Sequence, residues 1–483
     1  MYRFTGWVFA IHIILIICSL IIPHPFIGYF VTAAIVSSTL LYQKNGFFLL
    51  FVFFPFRPFL VEINNGLTYL GDALIIFILA AVLLKKRHSP KTLISIYGWL
   101  GAVALFFMVG LLSGLLSGIT LTAGLFQGRA LLITLLVLII AKEMHWNKGE
   151  IQQIILISIL TAVTLSIHGI IEKLTLRQWL LPEAWTGWNL ASANAMRIYG
   201  LIGNPNVLAT YLLIVFFLSF LLKKKVWWLI PVRVLIVGAT LLTFSRGALL
   251  AFGAGTVIFL LLINYWKKTI PLLLYGITAF VLIYSPVVSA TEYIDENGYF
   301  YKTTQAEQNE SRTEGEPHTV KENNVFIERF KEMFASETVQ ASAEWGRIYV
   351  VLKGTEIFLD SPLIGSGFAT YGDAASQSFP SPIYKEYGIP EGLYADNQYI
   401  SILTGTGIIG LLIFFTLFGC LVYKLWKIKH RLWRAISLSA VTVLLTAGLF
   451  YNILEDKTFT LYFYFIIGYI LNKQSMETNY EMD

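Results

Sequence analysis

The chain has 483 residues, of which 56% are hydrophobic and 13% charged, and its mean hydropathy is +0.68. Soluble domains carry about 25% charged residues, so this composition excludes an ordinary soluble globular protein. The formal net charge of +6 is informative through its placement, because Lys and Arg near span ends set the orientation of a membrane protein.

Apolar runs long enough to cross a membrane recur along the whole chain. A helix needs about 20 apolar residues to cross about 30 Å of hydrocarbon. The first run is not followed by a small-residue cleavage pattern, so we expect a retained span and not a signal peptide. The predicted spans are 5–22, 25–42, 46–60, 67–84, 94–118, 127–141, 151–171, 205–222, 226–243, 247–264, 269–290, 400–423, 435–452 and 457–472.

These runs predict an all-α, polytopic integral membrane protein with about 12–14 transmembrane helices. The predicted organisation is a first transmembrane part at 1–290, an extracellular loop at 291–399, three last spans within 400–472 and a cytoplasmic tail at 473–483. In the loop, apolar spacing predicts short amphipathic helices at 326–334 and 345–359.

Basic residues predict the orientation in the cytoplasmic membrane. Alternating spans from a cytoplasmic N-terminus put both termini and every basic cluster inside the cell. These clusters are 85–87, Lys142, Lys148, 223–225, 267–268 and 424–434. The same alternation puts the two longest polar stretches, 172–204 and 291–399, outside. The active site is therefore expected to face outward.

The remaining charged residues collect at the predicted outer ends of the spans, and this argues against an ion path through the membrane. They are Arg57, Arg129, Arg197, Arg246, Arg347, Asp396, Glu455, Asp456 and Lys457. Each Arg taken alone could equally be a helix-end anchor. Several together predict an outward-facing anion site.

Two of these arginines precede helices that run inward. Asn204 is a predicted N-cap with Pro205 at the first helical position, and Asn206 follows, so free backbone N–H groups beside Arg197 would suit phosphate. The alternative is a capped helix with no ligand.

A second such site is predicted in 243–247, where Ser245 can cap the next inward helix beside Arg246 and Gly247 permits close approach. The arginine fork can hold two phosphate oxygens at once. Two such ends facing one cavity would hold a diphosphate, although two independent interfacial anchors are the alternative.

The other two clusters lie in and after the loop. Arg347 precedes a predicted short helix that ends in the glycine turn of 362–367. Asp396 and Asn397 precede an inward span, where the Asp396 carboxylate could take a proton from a sugar hydroxyl or could simply be an N-cap. Asn397, Tyr199 and Tyr394 are candidate acceptor or sugar contacts, with an interfacial aromatic belt as the alternative for the two tyrosines.

Motifs for other chemistries are missing. The sequence has no phosphate-binding loop ending in Gly-Lys-Ser/Thr, no His-Glu-x-x-His and no nucleophile elbow. We therefore predict no metal, no cofactor and no nucleic-acid partner.

The order and spacing of four motifs resemble the O-antigen ligase and polymerase superfamily of bacterial envelope enzymes. The resemblance covers about 197–413 and rests on Gly-x-x-x-Asn-Pro-Asn at 200–206, Ser-Arg-Gly at 245–247, Pro-Leu-Ile-Gly-Ser-Gly at 362–367 and Asp-Asn followed by Gly-Ile-Ile-Gly at 396–410.

The resemblance implies an all-helical glycosyltransferase that joins glycans carried on undecaprenyl diphosphate at the outer membrane face. It implies that Arg197, Arg246 and Arg347 bind the donor diphosphate and that Asp396 approaches the glycan acceptor. Asn204, Asn206 and Ser245 are the further candidate diphosphate-binding residues. The expected partners are both glycan substrates, membrane lipids and other polysaccharide assembly proteins.

One departure from the family pattern bears on the reaction. Ligases typically carry His-Asn where this chain has Asp396-Asn397, which favours a polymerase similar to the teichuronic acid polymerases of Gram-positive bacteria. Two other classes stay open. One is a lipid-linked oligosaccharide flippase or polysaccharide exporter, and the other is a sensor or scaffold without catalysis.

Overall fold

The computed structural model describes residues 5–86, 97–188, 190, 192–222, 227–264, 269–299 and 346–480. The secondary structure of these residues is helical, which confirms the predicted all-α class. The helices of eight or more residues are α1 (Gly6–Ile21), α2 (Pro25–Ser38), α3 (Gln43–Ile63), α4 (Leu70–Lys86), α5 (Trp99–Leu116), α6 (Leu121–Leu132), α7 (Leu136–Glu143), α8 (Lys148–Leu174), α9 (Pro205–Ser219), α10 (Leu229–Leu242), α11 (Arg246–Ile263), α12 (Thr269–Ala279), α13 (Ser285–Glu296), α14 (Arg347–Asp360), α15 (Gln398–Trp426), α16 (Arg431–Ala447) and α17 (Lys457–Tyr480).

Many of these helices are suited to a membrane. Within the described ranges, eight helical segments are long and apolar enough to span a bilayer, and α1, α2, α9 and α10 are shorter apolar helices. The chain is therefore a multi-pass membrane protein. The count of about 12–14 spans stays a prediction, because helix length and composition do not show which short helices cross.

The core of the bundle is formed by helices α3, α9 and α17. The Phe51 and Tyr462 rings are 5.0 Å apart between centroids, and Tyr211 lies 5.8 Å from Tyr462. All three side chains are fully buried, whereas α12 and α15 expose large apolar side chains along one face. Exposed apolar faces of this kind are what lipid requires of peripheral helices.

Polar side chains cause one difference from the predicted spans. The span predicted at 127–141 begins six residues earlier, with α6 at Leu121, and is interrupted by a turn before α7. Gln127 and Arg129 lower the local hydropathy, yet they lie inside α6 because Glu455 and Asp72 accept their hydrogen bonds. Hydropathy alone does not register such partners.

The other boundaries differ for local reasons. The span predicted at 269–290 contains a π-helical turn, Phe280–Tyr284, just before Pro286, which has no N–H to continue the helical ladder. The last helix continues to Tyr480, so most of the predicted tail is helical. The loop helix predicted at 345–359 is confirmed as α14, whereas 326–334 lies outside the described residues.

Candidate active site

The first turn of α9 is capped as the sequence predicts. Asn204 Oδ1 accepts hydrogen bonds from the backbone N–H groups of Asn206 at 2.9 Å and Val207 at 3.2 Å, and Leu208 N donates to the Asn204 carbonyl at 2.9 Å. Pro205 has no N–H. The expectation of free amides for phosphate at this helix is therefore wrong, because the cap already uses them.

The N-terminus of α11 lacks the serine cap that the sequence predicts. Ser245 occupies the N-cap position, yet its side chain makes no capping hydrogen bond. Its Oγ donates instead to Asn206 Oδ1 at 2.9 Å. The predicted Ser245 cap is therefore wrong, because Asn206 of α9 competes for the hydroxyl. The first turn of α11 thus receives no side-chain cap.

Arg197 joins these two motifs into one unit. Its Nη2 donates to Asn206 Oδ1 at 2.7 Å and its Nε donates to the Thr243 carbonyl at 2.8 Å. The next residue adds a backbone hydrogen bond, from Ile198 N to Leu242 O at 3.2 Å. The two motifs, about 40 residues apart in sequence, are thus joined by the Arg197 guanidinium group together with the Ile198 and Ser245 hydrogen bonds.

The predicted charged residues lie close enough to act on one another. Burial, together with the positive charges of Arg347 and Arg246, lowers the pKa of Arg197, while Tyr199 and Asp396 oppose this shift. Arg246, Arg347 and Asp396 therefore all lie within electrostatic range of Arg197. Such a concentration of positive charge is suited to a diphosphate.

Arg347 comes to this cluster from the part of the chain that follows α13. It is the first residue of α14, and its Cζ lies 5.8 Å from the centre of the Phe450 ring. Phe450 also packs against α11, since a Cβ added to Gly247 would lie 2.7 Å from the Phe450 Cβ. The predicted close approach at Gly247 is thus explained by Phe450, a contact residue that the motif pattern missed.

Asp396 is the carboxylate of the cluster. Its backbone has φ +43°, a left-handed conformation that non-glycine residues rarely adopt. Burial raises the pKa of Asp396, and the positive charges of Arg347 and Arg197 act in the opposite direction. A half-buried carboxylate with a raised pKa beside cations has the character of a general base.

Asn397, and not Asp396, caps the long helix α15. Its Oδ1 accepts hydrogen bonds from Tyr399 N and Ile400 N, both at 3.1 Å, and its Nδ2 donates to the Leu449 carbonyl at 3.3 Å. The capping alternative for Asp396 is thus excluded by its neighbour. A sugar contact by Asn397 stays a prediction.

The two tyrosines with predicted sugar contacts have protein partners. The Tyr199 ring lies 5.7 Å from the Trp188 ring and is covered by the Arg177 guanidinium at 4.6 Å. The Tyr394 hydroxyl donates to Glu455 Oε2 at 2.9 Å. Their sugar contacts also stay predictions.

Glu172, which the motif analysis did not select, holds the backbone of the segment that follows Arg197. Its Oε2 accepts backbone hydrogen bonds from Tyr199 N at 3.0 Å and Gly200 N at 2.6 Å, and its Oε1 pairs with Arg177. The side chain is fully buried. The available sequence signal was a carboxylate at the C-terminal end of an apolar span, five residues before an arginine.

Replacing Glu172 by alanine should destabilise the protein by about 3–5 kcal/mol, because it leaves a buried cation and two amides without their partner. The melting temperature of the detergent-purified protein measures this loss. Glu172→Gln retains an acceptor oxygen and should lose less. Equal melting temperatures for Glu172→Ala and the unmodified protein would contradict this role.

The motif at 362–367 has a structural position between α5 and α15. Ser366 N donates to the Thr404 carbonyl at 2.7 Å, and Ile408 N donates to the Pro362 carbonyl at 2.9 Å. Within α15, Gly407 has φ +61°, and this break accommodates the inserted segment. The segment's glycine turn is confirmed, and it serves helix packing.

Metal binding has no visible basis in the part of the chain that the structure describes. Those residues contain no group of three or more His, Cys, Asp or Glu side chains arranged for a metal ion. The absence of a metal or cofactor requirement stays a prediction.

The comparison with protein families agrees with this geometry. Residues 231–415 match the family described as O-antigen ligase. The matched segment contains Ser245, Arg246, Arg347 and Asp396, whereas Arg197 precedes it. No curated protein sequence matches the chain.

Proposed function

Because the chain is a multi-pass membrane protein that carries a domain of the O-antigen ligase and polymerase superfamily, we propose that it joins undecaprenyl-diphosphate-linked glycans at the outer face of the cytoplasmic membrane. The observation that supports this best is the electrostatic cluster of Arg197, Arg246, Arg347 and Asp396. The basic clusters on the opposite side support cytoplasmic termini.

In the proposed reaction, a hydroxyl of the acceptor glycan attacks the anomeric carbon of the donor glycan. The bond between this carbon and the diphosphate oxygen breaks, and undecaprenyl diphosphate leaves with the electron pair. Asp396 accepts the hydroxyl proton, while the arginines stabilise the charge on the departing diphosphate. Arg197 is held in place for this role by its bonds to Asn206 and Thr243.

We further propose that the reaction is polymerisation, with a teichuronic-acid-like cell-wall polymer as one product class. Support comes from Asp396-Asn397, which replaces the His-Asn typical of ligases. A carboxylate with a raised pKa can perform the proton transfer without histidine. The proposed protein partners are other polysaccharide assembly proteins.

The alternative is a flippase or exporter, and lipid-linked intermediates distinguish the two. In cells that lack this protein, a polymerase leaves single repeat units on undecaprenyl diphosphate outside the membrane, whereas a flippase leaves them on the inner leaflet. Mass analysis of these lipids, with and without surface-accessible labelling, measures both length and side. Repeats stranded inside would contradict the proposal.

Variants expressed in the same deletion strain test whether Asp396 is the general base. Asp396→Asn should reduce polymer formation by about 10²–10⁴-fold at a normal protein level, because the proton acceptor is lost. Asp360→Asn is the matched control, since this loop carboxylate accepts a hydrogen bond from Tyr387 at 2.6 Å on an exposed surface. Polymer of normal length from the Asp396→Asn strain would exclude Asp396 as the base.

The pH profile should report the charge of Arg347. Since Arg347 lowers the pKa of Asp396 against the larger effect of burial, Arg347→Gln should raise that pKa further. The base form is then lost at a higher pH, so the acidic limb of the rate profile should move upward. Lys353→Gln, on the same helix and paired with Glu356, should leave the limb in place. A limb that stays unmoved in Arg347→Gln would contradict the prediction.

A further inference from the structure

A second cavity lies beside the candidate active site, with a volume of about 420 Å³, within the usual range of ligand pockets. It adjoins the first motif, because its lining residues Ile202 and Val207 lie within and directly after the segment 200–206, which carries Asn204 and Asn206. The lining residues are Phe54, Arg57, Pro58, Thr68, Phe126, Arg129, Ala130, Ile202, Val207, Ala374, Glu455, Asp456, Lys457 and Thr458.

Cations dominate one side of this cavity. Lys457 Nζ lies 2.7 Å from Asp72 Oδ1 and 3.0 Å from Oδ2, and Arg129 Nε pairs with the same carboxylate. Arg57 also lines the cavity, and among the described residues it donates one hydrogen bond, from Nη2 to the Thr68 carbonyl at 3.4 Å. Two of the three cations thus pair with one carboxylate, while the described hydrogen bond of Arg57 goes to a neutral carbonyl, which leaves positive charge for a ligand.

The two carboxyl groups in the lining, Glu455 and Asp456, accept hydrogen bonds from other groups of the protein. Glu455 accepts hydrogen bonds from Gln127, Tyr394 and the Ala374 amide at 2.6, 2.9 and 3.1 Å. Burial and the charge of Asp373 raise the pKa of Glu455, which favours its neutral form near pH 7.

Asp456 caps α17, because its Oδ1 accepts hydrogen bonds from Thr458 N at 2.9 Å and Phe459 N at 3.1 Å. Its charge therefore faces the helix N-terminus. With Glu455 neutral, the three cations Arg57, Arg129 and Lys457 outnumber the carboxylates of Asp72 and Asp456.

We propose that this cavity is a second anion site, in which Arg57, Arg129 and Lys457 bind a diphosphate headgroup. Arginine forks grip such oxygens in pairs, and the lysine adds a point charge. Apolar lining residues, Phe54, Phe126, Ile202 and Val207, suit a diphosphate that carries an isoprenoid.

The identity of this ligand rests on the proposed function. Polymerisation joins two lipid-linked glycans, so two diphosphates must be held side by side. The Arg197 cluster holds the one that leaves, and the Arg57 cavity holds the one that stays attached to the acceptor glycan. The motif at 200–206, with Val207 directly after it, would hold the two lipid headgroups at a fixed distance from each other.

Titration calorimetry of the full chain in detergent, with farnesyl diphosphate and with inorganic pyrophosphate, tests this site without requiring catalysis. The unmodified protein should bind two equivalents of farnesyl diphosphate. Arg57→Gln should weaken one of them by at least about 10-fold, and Arg57→Lys should restore part of the loss because the charge returns without the fork. Arg246→Gln should weaken the other equivalent only.

The matched control is Arg431→Gln, since Arg431 donates to the Leu262 carbonyl near the C-terminal end of α11, whereas Arg246 begins that helix. This variant should bind both equivalents of farnesyl diphosphate unchanged. Stronger binding of farnesyl diphosphate than of pyrophosphate supports a lipid source, and equal binding supports a site for the free anion.

A single equivalent that Arg57→Gln leaves unchanged overturns the second site and leaves the proposed function intact. Loss with Arg57→Gln but not with Arg246→Gln supports the second site and contradicts the diphosphate role of Arg246.

Discussion

Arg246→Ala is expected to reduce polymer formation by about 10²–10³-fold, the loss typical of removing one donor to a developing anion. Arg246 is exposed at the uncapped first turn of α11, and its charge acts on Arg197. The helix terminus adds a positive partial charge at the same place. Polymer length in a complemented deletion strain measures the effect.

The same measurement separates charge from geometry. Arg246→Lys keeps the charge but loses the planar fork, so its polymer yield should fall between those of Arg246→Ala and the unmodified protein. Because the side chain is exposed, the amount of folded protein should stay normal in both variants. Full polymer length in Arg246→Ala would remove this residue from the site.

Gly367→Ala is expected to prevent stable folding. A Cβ at this position would lie 1.9 Å from Gly114 N and 2.0 Å from Gly114 Cα, and both are backbone atoms that cannot rotate away. The residue also has φ +103°. Strain of the positive φ costs about 1–3 kcal/mol and overpacking about 1–3 kcal/mol, so the total loss is roughly 2–6 kcal/mol.

Gly388→Ala is the matched control for this substitution. Its φ is +61°, but no atom lies within 4 Å of its added Cβ, so only the conformational cost applies. The melting temperature and the yield of monodisperse protein in detergent measure both variants. Similar melting temperatures for Gly367→Ala and Gly388→Ala would show that 362–367 is not tightly inserted between α5 and α15.

Local properties of the chain could be predicted from its sequence. Hydropathy runs located most of the apolar helices, because each span must satisfy lipid along its own length. Asn204 followed by Pro205 predicted a helix start, since capping involves only neighbouring residues. The glycine turn at 362–367 was predictable for the same reason, because Gly365 and Gly367 adopt positive φ.

The tertiary structure decided which partner each polar side chain takes. Ser245 could have capped α11, but it donates to Asn206, and Asn397 takes the cap that Asp396 could have supplied. A hydroxyl or amide can form any of several alternative hydrogen bonds, and each contributes about 1 kcal/mol. The alternatives are therefore nearly equal in free energy, and the local sequence does not select one. Burial beside a distant segment selects one of them.

By itself, the sequence determined an all-helical membrane chain with its charges at helix ends, because lipid excludes unpaired charge and free backbone groups from every span. Only the tertiary structure decided that Arg246, Arg347 and Asp396 lie close enough to Arg197 to act on its charge, while Arg129 and Lys457 pair with Asp72. These residues are hundreds of positions apart at the extremes, and helix packing alone sets the distances between them.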